Sequence, residues 1–197
     1  MYKKTINLLV PTLLLFIPFN TVAFESDVTV NDAARKGDVP LVEKLLIQGY
    51  KPDKPNRLGF VALSGAAGKC TDNHLKILRL LIQYGANIDR KGGDGTAAIS
   101  NASYWGCKDN VKFLIKSGAD VNTVKNNNWT PLMSASSNGS IEIVKLLLEA
   151  GADAKYGYIN KPFYGIKPKK KTTTVLDIAK SNKHEGVVTL LKKYINK

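Results

Sequence analysis

Residues 130–151 read TPLMSASSNGSIEIVKLLLEAG, and residues 97–118 read AAISNASYWGCKDNVKFLIKSG. Laid over one another at an offset of 33, they share a small residue (Ala102, Ala135), a glycine four residues later, an apolar run and a closing glycine (Gly118, Gly151). Self-similarity at a fixed period of this size marks a repeat array. Working outward, the small residue recurs as Ala33, Ala66, Ala102, Ala135 and Ala179, at steps of 33, 36, 33 and 44. The closing glycine recurs as Gly49, Gly85, Gly118 and Gly151, at steps of 36, 33 and 33. The two anchors agree on a three-residue insertion in the second unit, and the first adds 11 residues before the last unit.

Each unit reads as a helical hairpin. Residues 131–138 carry small side chains on one side, which lets the backbone approach a neighbour, and Gly139 turns the chain. Ile141, Ile143, Val144, Leu146, Leu147 and Leu148 then make an apolar stripe too broad for an isolated surface helix. Gly151 is a C-terminal helix stop. One hairpin cannot bury both faces, so the units must stack into an all-α solenoid. The composition agrees: 44% hydrophobic and 23% charged residues exclude a disordered chain, and 197 residues suit one continuous core.

The phrases WTPLMSASSNGSIEIVKLLLEAGAD and VKFLIKSGADVN resemble the ankyrin repeat, with its Thr-Pro-Leu start, Ala, Gly turn, hydrophobic helix and Gly-Ala-Asp end. The resemblance covers residues 28–194 and implies five helix-turn-helix units joined by β-hairpin-like loops. They fall at 28–53, 57–89, 94–122, 127–155 and 172–197, with an insertion at 156–171. The second unit has Val61-Ala62-Leu63 where Thr-Pro-Leu is expected, and a lengthened turn between its helices. The first and last units read as terminal caps, which carry polar outer faces.

Residues 1–23 read as a cleavable signal peptide. Lys3 and Lys4 precede an apolar run from Ile6 to Phe19, and Thr21-Val22-Ala23 offers a cleavage site after Ala23. The run is shorter than the ~20 residues a membrane span needs. The mature domain is then 24–197, directed to an oxidising compartment, which is the periplasm if the source is a Gram-negative bacterium. Taking Lys3 and Lys4 from 29 basic residues leaves 27 against 16 acidic ones, a balance of +11.

Motifs that carry chemistry are scarce. Residues 93–98 (GDGTAA) fit G-x-G-x-x-A, but the fingerprint needs a preceding β-strand, and here it falls in a connecting loop. No H-E-x-x-H, C-x-x-C or G-x-S-x-G occurs. His74 and His184 sit near the starts of second helices, where a structural role is expected. The expectation is no catalytic residue, no metal site and no cofactor. The Lys-rich run 167–171 resembles a nucleic-acid patch, but a signal peptide argues against a nuclear role and leaves a solvated loop or a binding role.

Two cysteines in an oxidising compartment favour pairing. Cys70 falls on the turn position of Gly106, and Cys107 is one residue further, so both lie on helix–helix turns of adjacent units. Stacked helices lie about 8–10 Å apart, whereas a disulfide needs Cα atoms within roughly 4.4–6.8 Å. The extra residues around Thr71-Asp72-Asn73 supply slack to close that gap.

The resemblance implies partner recognition through loop tips and the ends of the first helices, on the concave side. Carried onto this chain, the loop positions are Arg57, Leu58 and Phe60; Lys91, Asp94 and Thr96; and Asn126, Asn127 and Trp129. The helix positions are Tyr104 and Trp105, then Ser137 and Asn138, and in the second unit, where the turn is lengthened, Gly68 and Lys69. Trp105 and Trp129 are either exposed partner anchors or stiffeners of the stack. Arg57, Arg90, Lys91 and Lys125 around them favour an acidic partner. The insertion interleaves Tyr156, Tyr158, Phe163 and Tyr164 with lysines. It is an arm that contacts the partner, or one whose aromatics pack onto the last two units. The leading expectation is a non-enzymatic protein-binding module of the bacterial envelope, monomeric when unbound, acting as an inhibitor or immunity protein against a toxin or enzyme. Two alternatives remain: a basic protein on anionic lipid or polysaccharide surfaces, and a protector or scaffold for a periplasmic enzyme.

Overall fold

The computed structural model describes residues 29–159 and 172–196, and they form five stacked helix pairs. The pairs are α1 (Val30–Lys36) with α2 (Val39–Ile47), α3 (Ala62–Ala67) with α4 (Asp72–Gln83), α5 (Ala98–Trp105) with α6 (Lys108–Lys116), α7 (Pro131–Ser137) with α8 (Ile141–Glu149), and α9 (Val175–Ser181) with α10 (Glu185–Ile195). First helices pack on first helices and second on second along the stack. Residues 1–28 and 160–171, which include the expected signal peptide, Phe163, Tyr164 and the Lys-rich run, lie outside the described residues.

The anchors of the repeat have a physical role. Ala33, Ala66, Ala102, Ala135 and Ala179 are all fully buried where first helices touch, so a larger side chain there would push units apart. Leu78, Leu81, Leu114, Val144, Leu147 and Leu191 fill the layer between first and second helices. Each such burial contributes about 1.5–3 kcal/mol. Ile141 leaves this stripe and is exposed.

Thr29, Thr130 and Thr174 cap their first helices by accepting from the backbone N–H of Asp32, Met133 and Asp177. Thr29 and Thr174 complete capping boxes. The Thr29 hydroxyl lowers the Asp32 carboxyl below its ordinary value. Val61 and Ala97 hold the same position without a side-chain cap, a loss of about 1 kcal/mol each.

The loops between units are tight turns. Asn56 N–H donates to Phe60 O (2.9 Å), Gly92 N–H to Thr96 O (3.2 Å) and Lys125 N–H to Trp129 O (2.9 Å). The residue before each closing position is left-handed, Gly59 at φ 80°, Gly95 at 74° and Asn128 at 65°. Only glycine and asparagine adopt this readily. Neighbouring loops are laced together by side chain to backbone bonds, from Asn87 N–H to Asp53, Asp120 N–H to Asp89 and Asp153 N–H to Asn122, at 2.8–2.9 Å. Strands occur, among the described residues, only where β1 (Gly157–Ile159) pairs antiparallel with β2 (Thr172–Thr174) at the base of the insertion.

Two expectations need correction. The three extra residues of the second unit are helix rather than slack: α4 has 12 residues against nine in α2, α6 and α8. α3 stops at Ala67, so the connector 68–71 still exceeds the two residues joining α5 to α6. The surface of the first unit is also less polar than a cap requires, since Ile47 and Tyr50 are 67% and 52% exposed.

Candidate protein-binding surface

The face made by first-helix ends and loop tips carries an aromatic pair. Tyr104 and Trp105 end α5, 45% and 61% exposed, with ring centroids 5.2 Å apart in an edge-to-face arrangement. The Lys125 ammonium, from the next loop, stands 5.3 Å over the Tyr104 ring. Burial lowers the Lys125 pKa from its ordinary value, opposed by the Asp94 carboxylate. The result is a half-desolvated cation on a tyrosine face, beside an indole open to solvent. Less water remains to be stripped from this ammonium when an acidic group meets it than from a fully hydrated lysine.

The pair is held from behind. Trp105 lies across buried Gly68, where an added Cβ would stand 2.7 Å from Cδ1 of the indole and 2.9 Å from the Asn101 amide. Asn101 donates to Ser64 O at 2.7 Å, tying α5 to α3. Asn138 donates to Tyr104 O from the following unit. Cys70 and Cys107 are at disulfide distance, with Cα atoms 4.8 Å apart, and Cys70 Sγ lies 3.7 Å from Trp105 O. Gly68, expected as a partner contact, is instead buried beneath the indole as its support, and Asn101, one helical turn before Trp105, is a second support that the sequence did not mark.

Gly68 has φ −79°, so alanine fits its backbone and the only obstacle is the indole and amide above it. Gly68→Ala is expected to displace Trp105 and cost about 1–3 kcal/mol. Trp105 emission in a Trp129→Phe background, followed through urea unfolding, checks it. An unchanged spectrum and midpoint would show that the indole is not seated on Gly68.

The remaining expected positions divide. Leu58 and Phe60 are 77% and 48% exposed on the second-unit loop, with Arg57 also exposed at its tip. Lys91, Asp94, Asn126 and Asn127 are exposed but use their polar atoms on the loops. Lys91 Nζ donates to Val124 O (2.9 Å), Asp94 accepts from Thr96 N–H (3.0 Å) and Oγ1 (2.7 Å), and Asn126 donates to Gly93 O (3.4 Å). Asn127 Oδ1 accepts from Trp129 N–H at 3.3 Å. Thr96 is buried.

Trp129 is not an open anchor. It is half-buried against the core, and its indole N–H donates to the Tyr158 hydroxyl at 3.0 Å. Tyr156 and Tyr158 are half-buried against the same core, so these two aromatics seat the base of the insertion on the stack. His74 and His184 are structural: each bonds through Nε2 to a carbonyl of the preceding unit, Arg35 O at 3.2 Å and Ser137 O at 2.9 Å. Among the described residues, no three His, Cys, Asp or Glu side chains stand together as metal ligands would, and no helix is long and apolar enough to cross a membrane.

The chain matches the family described as Ankyrin repeats (3 copies) over three overlapping segments, residues 30–125, 70–158 and 123–197. It belongs to the ankyrin-repeat family. Ankyrin repeats are protein–protein interaction modules and in general non-enzymatic scaffolds, so the chain is a module that binds another protein. No curated protein matches the chain.

Proposed function

We propose that this ankyrin module binds an acidic protein of the bacterial envelope through its concave face and thereby neutralises it, as an inhibitor or immunity protein does a toxin or enzyme. The observation that carries the reading is the Tyr104–Trp105 pair, left exposed at the end of α5 beneath the Lys125 ammonium. Large aromatics seated on a rigid support, with a cation at their edge, have the composition of an interface centre. Phe60 adds exposed apolar area on the second-unit loop, and Arg57 and Arg90 add exposed positive charge on the loops. The compartment follows from the signal-like residues 1–23 and is supported by a cysteine pair at bonding distance. A stack that only covers its partner can block an active site by shape alone.

Capture on the immobilised protein from a periplasmic extract, at low and at physiological salt, tests this. The expected result is one acidic protein retained at both salts, whose own activity falls in proportion to added module. Recovery of anionic lipid or polysaccharide alone, collapsing several-fold as salt rises, would replace the reading with surface binding.

A further inference from the structure

The first unit leaves open the face that later units use for stacking. The position eight residues after the anchor alanine is Leu41 in the first unit, His74 in the second and Asn110 in the third. His74 and Asn110 each reach carbonyls of the unit before. The position five residues before the closing glycine is Leu80, Phe113 and Leu146 in the second to fourth units, and Lys44 in the first. Phe113 takes the guanidinium of Arg79, from the preceding unit, 4.7 Å over its ring. Before α1 and α2 no such unit is among the described residues. A groove of about 830 Å³ lies there, between α2 and the loop that follows it.

The groove combines an apolar floor with a cationic rim. Leu41 and Leu45 form a ridge on α2, and Tyr50, Pro55 and Leu58 face it from the loop. Lys44, Lys51 and Lys54 stand exposed at the edge. The carboxylate on its lining is Asp32, and the Thr29 hydroxyl and N–H bond to that group at 2.7 and 3.3 Å. The groove's volume lies within the usual range of binding sites, and lysines beside open leucine and tyrosine complement a chain carrying both carboxylates and apolar side chains.

We propose that this end of the stack is a second binding site, one that takes an acidic peptide segment of a partner in extended form. Apolar side chains of the segment lie on Leu41, Tyr50 and Leu58, and its carboxylates reach Lys44, Lys51 and Lys54. The site is separate from the Tyr104–Trp105 face.

A labelled nine-residue peptide alternating leucine and glutamate, titrated into the full chain and followed by fluorescence anisotropy, tests it. Saturable binding is expected, at least tenfold weaker for Lys44→Glu/Lys51→Glu and for Leu58→Ser, and within twofold of wild type for Trp105→Ala. That last result separates this site from the proposed concave face. Photo-crosslinking to the unaltered protein needs no variant and should map to residues 41–58. Equal binding of a leucine–glutamine peptide, an unaffected charge-reversal variant, or crosslinks elsewhere would overturn the proposal. So would a concentration-dependent dimer, lost in Lys44→Glu/Lys51→Glu, because the groove would then be filled by a second copy.

Discussion

Cys70→Ser/Cys107→Ser is expected to lower unfolding stability by about 4 kcal/mol, the chain-entropy figure for a loop of this length. The bond spans 37 residues and ties the helix–helix turns of the second and third units. In a linear stack each unit is held only by its neighbours, so the second–third junction is as strong as that single interface. The crosslink prevents the stack from parting there in the native state and restricts the unfolded chain. Urea unfolding of the oxidised protein, the reduced protein and the double serine variant checks this. The reduced and serine forms should coincide, both below the oxidised one. A difference under 1 kcal/mol would mean that strain offsets the entropic gain, or that the pair is not bonded in solution.

The same junction has a second fastener. Asn110, at the start of α6 and 2% exposed, donates both amide hydrogens to the preceding unit, to Ala67 O at 3.0 Å and Lys69 O at 2.9 Å. These carbonyls lie at and just past the end of α3, where helix geometry leaves acceptors unpaired. Asn110→Ala strands two acceptors at a cost of about 1–3 kcal/mol each when buried. A loss of about 2–4 kcal/mol is expected, because part of the site opens to water. Asn110→Asp should be worse, setting a carboxylate against two carbonyl oxygens, with partial recovery as pH falls and the acid becomes a donor. Thermal unfolding of the three proteins at neutral and mildly acidic pH checks this. An alanine variant within 0.5 kcal/mol of wild type would show that water replaces the amide.

What the sequence made legible was whatever each repeat needs for itself. The alanine anchors and closing glycines are dictated by helix contact and by left-handed backbone, and both can be read one unit at a time. The end of α5 was legible for the same reason, since a first-helix terminus beside a turn leaves Tyr104 and Trp105 open. Trp129 was not. Phe60, Thr96 and Trp129 hold one repeat position, yet the first is exposed, the second buried and the third half-buried. The difference comes from Tyr158, which reaches Trp129 from a strand at the base of the insertion. No feature of the fourth unit alone announces that contact. The second-unit insertion misled in a related way: its length is plain, but only the α4 pattern of Ile77, Leu78 and Leu81 against the core shows that it extends a helix. The groove before α1 is legible only by comparing units, once Leu41 is matched with His74 and Asn110.

Whether a partner is gripped at the end of α5 is read from the affinity of the captured partner for wild type, Trp105→Ala, Tyr104→Ala and Lys112→Ala, the last an exposed residue on the second-helix face. A desolvated tryptophan anchor costs at least about 2 kcal/mol on truncation, some thirtyfold in affinity. That loss is expected for Trp105→Ala, a smaller one for Tyr104→Ala and none for Lys112→Ala. If Trp105→Ala and Tyr104→Ala both bind within twofold of wild type while their unfolding midpoints are unchanged, the partner is held elsewhere and the end of α5 is not its binding site.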